Sequence, residues 1–379
     1  MGSYIWEVDK VATEKRAIGM NVTFFIGSLY GGGAERVICN LASYLVQKGH
    51  KVEILTMSET KESYDLDERV TTKSLLSLNN RKNKIWNVLI RFPRLWKYMR
   101  KTENDIYVVM LPKTTVMFLA FRWMTKAKVV AAERVDPAAY SNTIGCLLKR
   151  YAHRADGFVF QTEDAKAWYG DAVKDCKTEI IPNAIKPVFI REPYTGEKRK
   201  VISGAGRLCE QKNFSLLIRA FAKISDDFPD YKLVIYGEGE KRDELESLVK
   251  ELGLESRVAF PGYIQNIADE MEKNSMFVLS SNFEGMPNAL MEAMALGLPC
   301  ISTDCPCGGP RFLIQNGENG LLVPVGNVEK MALAMKKLLG DQDYASRLIS
   351  AANEIKRRLA PEKIYGKWES FIKSVCEIK

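Results

Sequence analysis

One pattern recurs along the 379 residues: a short β-branched or aromatic run, a turn, then a stretch with apolar residues at helical spacing. It begins with NVTFFIG and GAERVICNLASYLVQKG and returns in KVEILTM, DIYVVML, KVVAAE and GFVFQ. Strands that alternate with helices pair in parallel and are covered on both faces, so the class expected is α/β. The rhythm breaks in IPNAIKPVFIREPYTGEKRK, where Pro182, Pro187, Pro193 and Gly196 mark a linker. A second series follows in VISGAG, YKLVIYG, RVAFPG, MFVLSS, PCISTD and GLLVP. Two Rossmann-like, doubly wound domains are therefore expected to face each other across a hinge, residues 1–186 and 187–360. Pro361 opens a last helical segment, expected to pack back on the first domain, and residues 1–20 carry no periodicity.

Composition removes several classes of function. Two histidines, His50 and His153, leave no histidine-rich metal centre and make a Ser/His/Asp triad improbable. The eight cysteines have no repeated spacing, and Cys300, Cys305 and Cys307 lack a nearby histidine, so they read as buried thiols in a reducing, cytoplasmic compartment. No run reaches the ~18 apolar residues of a membrane span. The net charge of +8 lies wholly in the first half: residues 1–190 hold 29 Lys+Arg against 20 Asp+Glu, the remainder 26 against 27. One domain alone is thus expected to meet an anionic partner. No element that could read nucleic acid accompanies the charge.

The chemistry concentrates in SSNFEGMPNALMEAMALGLPCIS. A strand ends at Ser280 and Ser281, Glu284 lies in the loop, and Pro287 suits a first helical turn. Ligands of parallel sheets bind at the carboxyl ends of strands. The amides of Asn288, Ala289 and Leu290 are then expected to be unpaired donors suited to a diphosphate. Glu292 is placed to reach a ribose diol and Glu284 the hydroxyls of a transferred sugar. In VISGAGRLCEQKNFSLLIRAFAKI a strand ends near Gly204 and Gly206, and Arg207 and Lys212 precede the cap Asn213. Two cations on one strand-to-helix loop can neutralise a leaving diphosphate.

In these residues the chain resembles the retaining glycosyltransferases of family 4, whose GT-B fold is two facing Rossmann-like domains. The family's pair of glutamates separated by seven residues matches Glu284 and Glu292, and its loop Arg and Lys match Arg207 and Lys212. YGEGE and FPGYIQN resemble its base-binding segments, which implies that Gly237 flanks the base and that the backbone of Ile264 pairs with its edge. GSLYGGGAERV resembles its glycine loop. The resemblance implies a nucleotide diphosphate-sugar donor, with uridine as the base, and no protein nucleophile. It implies no cofactor either.

Read physically, Gly32 and Gly33, with Gly31, let backbone amides approach the donor from across the cleft. In KVVAAERVDPAAY the sequence departs from relatives that carry a histidine there. Arg134 is expected to bind phosphate or a carboxylate and Asp136 a hydroxyl of the sugar or acceptor, or Glu133 and Arg134 form an ion network. Residues 81–101 hold eight basic residues and no acid, interleaved with Trp86, Phe92, Trp96 and Tyr98. That composition suits an anionic membrane surface, with Pro93 dividing two short helices. It points to a polyprenyl diphosphate-linked acceptor and a peripheral position on the inner face of the plasma membrane. Asp65 and Asp67 form a DxD-like triplet in a polar stretch and are expected to be surface, with no metal bound. The rival activities are a nucleotide-sugar epimerase and a non-catalytic nucleotide-binding module; a dinucleotide fingerprint fails because Arg36 stands where its third glycine belongs.

Overall fold

The computed structural model describes residues 19–29, 33–59, 66–77, 84–101 and 103–377. The first half builds a seven-stranded sheet from β1 (Asn21–Ile26), β2 (Lys51–Thr56), β3 (Thr71–Ser74), β4 (Ile106–Met110), β5 (Lys128–Ala132), β6 (Gly157–Phe160) and β7 (Lys177–Ile180). Its order is β3-β2-β1-β4-β5-β6-β7, and every pairing is parallel. The second half builds six strands, β8 (Arg199–Ala205), β9 (Lys232–Tyr236), β10 (Val258–Gly262), β11 (Asn274–Leu279), β12 (Cys300–Thr303) and β13 (Leu321–Val323). These run β10-β9-β8-β11-β12-β13, again all parallel. Each sheet therefore reverses its winding beside its own first strand, where doubly wound folds open a crevice.

Central strands read as unbroken apolar runs because both their faces are covered; all five residues of β4 are buried. Two strands escape the pattern. The edge strand β3, TTKS, is wholly exposed, and β7, KTEI, alternates between exposed and half-buried, so neither presents an apolar run.

Helix α1 (Gly33–Gln47) follows β1, and the last helix, α14 (Pro361–Glu377), lies against it. α14 buries Ile364, Tyr365, Trp368, Phe371, Ile372 and Val375, a stripe at helical spacing worth about 1.5–3 kcal/mol for each large side chain. It packs so closely on the first sheet that a methyl at Gly157 would come within 2.9 Å of Val375 Cγ2. His50 Nε2 meets Glu369 at 3.3 Å on the same contact.

Helix α2 (Lys84–Lys101) corrects one expectation: it runs unbroken through Pro93. Proline removes one backbone hydrogen bond, yet the turn beyond it is anchored because Leu95 and Met99 are buried in the core.

Candidate active site

The loop after β8 and the loop after β11 meet at one ion pair, its carboxylate buried and its ammonium half-buried. Asn213, in a left-handed conformation, accepts from Leu216 N and starts α6 (Phe214–Ala222), which sends the preceding Lys212 back toward the sheet. Lys212 Nζ lies 2.5 Å from Glu284 Oε1, to which Ser281 also donates at 2.7 Å. Gln211 Nε2 donates to Phe283 O at 3.0 Å and approaches Glu284 Oε2 at 3.5 Å. The Glu284 backbone is pinned on both sides, its N–H donating to Pro306 O at 2.5 Å and its carbonyl accepting from Cys307 N at 2.8 Å. Glu284 is left 6% exposed, so the pair works in a medium where charge counts for more than in water. Arg207, on the same loop, is exposed, and its side chain makes no ion pair or hydrogen bond with a described residue. Ser281 and Gln211 escaped sequence reading because only the crossing of two loops gives them a role.

Glu284 leads into α9 (Asn288–Ala295). Of three amides expected to be free, that of Leu290 is not: it donates to Pro287 O at 3.1 Å, and the residue is fully buried. The reason is a turn that closes one residue earlier than the helix itself. Asn288 and Ala289 keep their amides without a backbone acceptor among the described residues. Glu292, one turn on, is buried and faces the other half: Arg36 Nη1 of α1 lies 3.3 Å from its Oε1 and Lys186 Nζ 3.8 Å from the same atom. Burial pushes its carboxyl up, and Arg36 and then Lys186 oppose that. Asn183 Nδ2 donates to Asn288 Oδ1 at 3.0 Å. A methyl at Gly33 would sit 3.5 Å from Asn288 Nδ2, so the start of α1 faces the start of α9; Gly31 and Gly32 lie outside the described residues. Arg36, Asn183 and Lys186 thus join the site, though nothing in their local sequence marks them.

At the neighbouring strand ends, Gly237 donates to Gly262 O at 2.9 Å and has φ +134. A methyl there would come within 2.0 Å of Gly206 O, so only glycine fits. Ile264 is half-buried, and its backbone groups bond to no other described residue, which leaves an amide and a carbonyl for a planar ligand edge.

On the first half, Glu133 and Arg134 do not form the expected ion network. The Glu133 carboxylate, fully buried, accepts from Tyr140 at 2.6 Å, Tyr169 at 2.8 Å and the amides of Arg134 and Val135; its burial pushes the carboxyl up. Four donors satisfy it, so the guanidinium turns elsewhere. Arg134 lies over the Trp368 ring at 4.9 Å and donates to Ile181 O at 3.2 Å. Burial draws its pKa down to about 10, and its Nε and Nη2 have no partner among the described residues. Asp136 is also buried, its Oδ1 accepting from Ala138 N at 2.9 Å to cap the turn Pro137–Ala139.

The basic stretch divides its charges. Arg91 donates to Met57 O and Ser58 Oγ, and Arg94 to Leu75 O. Phe92 meets Phe121 edge-on at 4.8 Å. Trp96, 42% exposed, with Lys97 and Arg100, faces solvent; the side chains of residues 81–89 lie outside the description. No described helix is long and apolar enough to cross a membrane. Among the described residues no cluster of three or more His, Cys, Asp or Glu could hold a metal ion. Asp67 is held by Arg69 at 2.8 Å, which keeps its carboxyl well below the usual range; Asp65 is outside the described residues.

Comparison with known proteins supplies the family. The family model described as "Glycosyltransferase Family 4" matches residues 31–189, and that described as "Glycosyl transferases group 1" matches 187–355. An N-acetylgalactosamine-N,N'-diacetylbacillosaminyl-diphospho-undecaprenol 4-alpha-N-acetylgalactosaminyltransferase of Campylobacter jejuni is 33% identical over 84% of this chain and 89% of its own. A second enzyme of that organism, the GalNAc-alpha-(1->4)-GalNAc-alpha-(1->3)-diNAcBac-PP-undecaprenol alpha-1,4-N-acetyl-D-galactosaminyltransferase, is 28% identical over 95% of this chain and 99% of its own. Among solved structures, Anabaena HepE in complex with UDP and glucose superposes with a TM-score of 0.79 at 18% identity, covering 94% of this chain and 100% of that one. At that identity the likeness speaks for the fold alone.

Proposed function

The chain belongs to glycosyltransferase family 4, and from that premise we propose that it moves a hexose or N-acetylhexosamine, with retention, from a UDP-sugar to a lipid-linked saccharide in surface polysaccharide assembly. The observation that carries the reading is the pair of Lys212 with the buried Glu284 beside the open amides of α9. The diphosphate rests on the Asn288 and Ala289 amides with Arg207 and Lys212 against it, Glu292 accepts from the ribose, and Glu284 from the sugar. Gly237 and the Ile264 backbone take the base, and the glycine loop that ends at Gly33 closes from the opposite half. Four of these groups, two amides and two cations, supply N–H dipoles or positive charge to the leaving diphosphate, so the reaction needs no metal.

In the transfer the bond from the sugar's anomeric carbon to the phosphate oxygen breaks, and a bond to the acceptor oxygen forms on the same face. The acceptor proton passes to the departing phosphate oxygen, so no protein base is required. Two Campylobacter relatives whose names include undecaprenol linked through a diphosphate support a polyprenyl diphosphate-linked acceptor and an N-acetylhexosamine donor. The exposed Trp96, Lys97 and Arg100 of α2 support contact with the anionic inner face of the plasma membrane.

The test is a panel of UDP-sugars offered with an undecaprenyl diphosphate-linked disaccharide. Retention requires that the new linkage have the donor's anomeric configuration by NMR. Full activity in excess EDTA is expected. An inverted linkage, strict manganese dependence, or epimerised sugar released without acceptor each refutes the corresponding part.

A further inference from the structure

Two helices from opposite halves of the molecule begin side by side. Gly33, the first residue of α1, faces Asn288, the first of α9, and one turn further Arg36 Nη1 lies 3.3 Å from Glu292 Oε1. Lys186, on the segment that joins the halves, reaches the same oxygen at 3.8 Å. Both cations thus crowd onto Oε1, and no described group bonds Oε2. The side chains of Arg36 and Glu292 are only 15% and 12% exposed, so their attraction is weakly screened by solvent. A carboxylate alone at this depth would be costly; the arginine that offsets the cost comes from the other half.

We propose that Arg36 is a positioning residue for the donor: acting through Glu292 across the cleft, it holds Oε1 and leaves Oε2 to accept from a ribose hydroxyl. This rests on Glu292 being the ribose contact. The convergence of two helix N-termini with Arg36 and Lys186 gathers positive charge on both sides of the cleft, which a bound diphosphate offsets.

The experiment is calorimetric titration of the whole chain with UDP and with 2′-deoxy-UDP, for wild type, R36M, R36Q, R36K, E292Q and R36M/E292Q. R36M and R36Q are expected to weaken UDP about tenfold, and R36K to restore most of that. In the E292Q background R36M should add less than about twofold, because the interaction it removes is already gone. The preference for UDP over 2′-deoxy-UDP should shrink in R36M. In turnover, R36M should raise the donor KM and leave kcat within about twofold. Unchanged or tighter UDP binding by both R36M and R36Q, or a tenfold loss that persists in E292Q, overturns the proposal while leaving the donor site in place. If wild type binds none of UDP, GDP and ADP, the donor-site reading falls and this inference with it.

Discussion

The two halves share one strand order, third-second-first-fourth and onward, yet they furnish the cleft by different means. The second half offers a side-chain pair, Lys212 with Glu284, closed by Ser281 and fixed by backbone hydrogen bonds within that half. The first half offers a helix start at Gly33 and one reaching cation, Arg36, while its polar strand-end residues Glu133, Arg134 and Asp136 are buried among their own neighbours. The same winding makes a crevice at each switch point. What fills it depends on whether the loop side chains find partners inside their own half.

The largest expected effect tests that division. Lys212→Ala and Glu284→Gln should each lower kcat/KM by about 10²–10³, as removing a preorganised charge or acceptor does. Lys212→Ala should also cost about 3 kcal/mol of stability in urea unfolding, since Glu284 stays buried without its cation. A single side-chain change in the first half with the same loss of turnover and no loss of stability would show that both halves furnish the cleft alike.

Next in size is Trp368→Ala, which removes a fully buried ring that carries Arg134 and ties α14 to the first sheet. A loss of about 3–5 kcal/mol is expected in denaturant titration. Gly237→Ala follows at about 1–3 kcal/mol, because the methyl collides with the Gly206 carbonyl. Its weakening of UDP binding should exceed that of Trp368→Ala if Gly237 shapes the base site.

Smaller again is the membrane contact. Replacing both Lys97 and Arg100 with glutamine should weaken binding to anionic vesicles by about 1 kcal/mol per charge at low salt, with little difference at high salt. Vesicle binding that ignores both salt and the substitutions would remove α2 from the interface. The smallest effect is chemical: Cys146, exposed, should react with maleimide first at pH 7.5. Cys305 and Cys307, whose thiols burial pushes up to about 12, should react only on unfolding. Fast labelling of either would show that the Glu284 loop opens readily.

Local sequence already carries the parallel α/β class, the two-part series of strands, the loops that bear Lys212 and Glu284 and the helix that bears Glu292. Each of these is written within one strand-turn-helix unit, where periodicity and local capping act over a few residues. Edge strands β3 and β7 escaped because half or more of their length is solvated and carries no apolar run. Pro93 reads locally as a break, because the packing of Leu95 and Met99, which holds the helix together, is not a local property. Long-range packing brings Arg36 to Glu292, Asn183 to Asn288 and Arg134 to Trp368. Those pairs join residues from distant parts of the chain, and they exist only because two sheets and a returning helix dock at fixed positions.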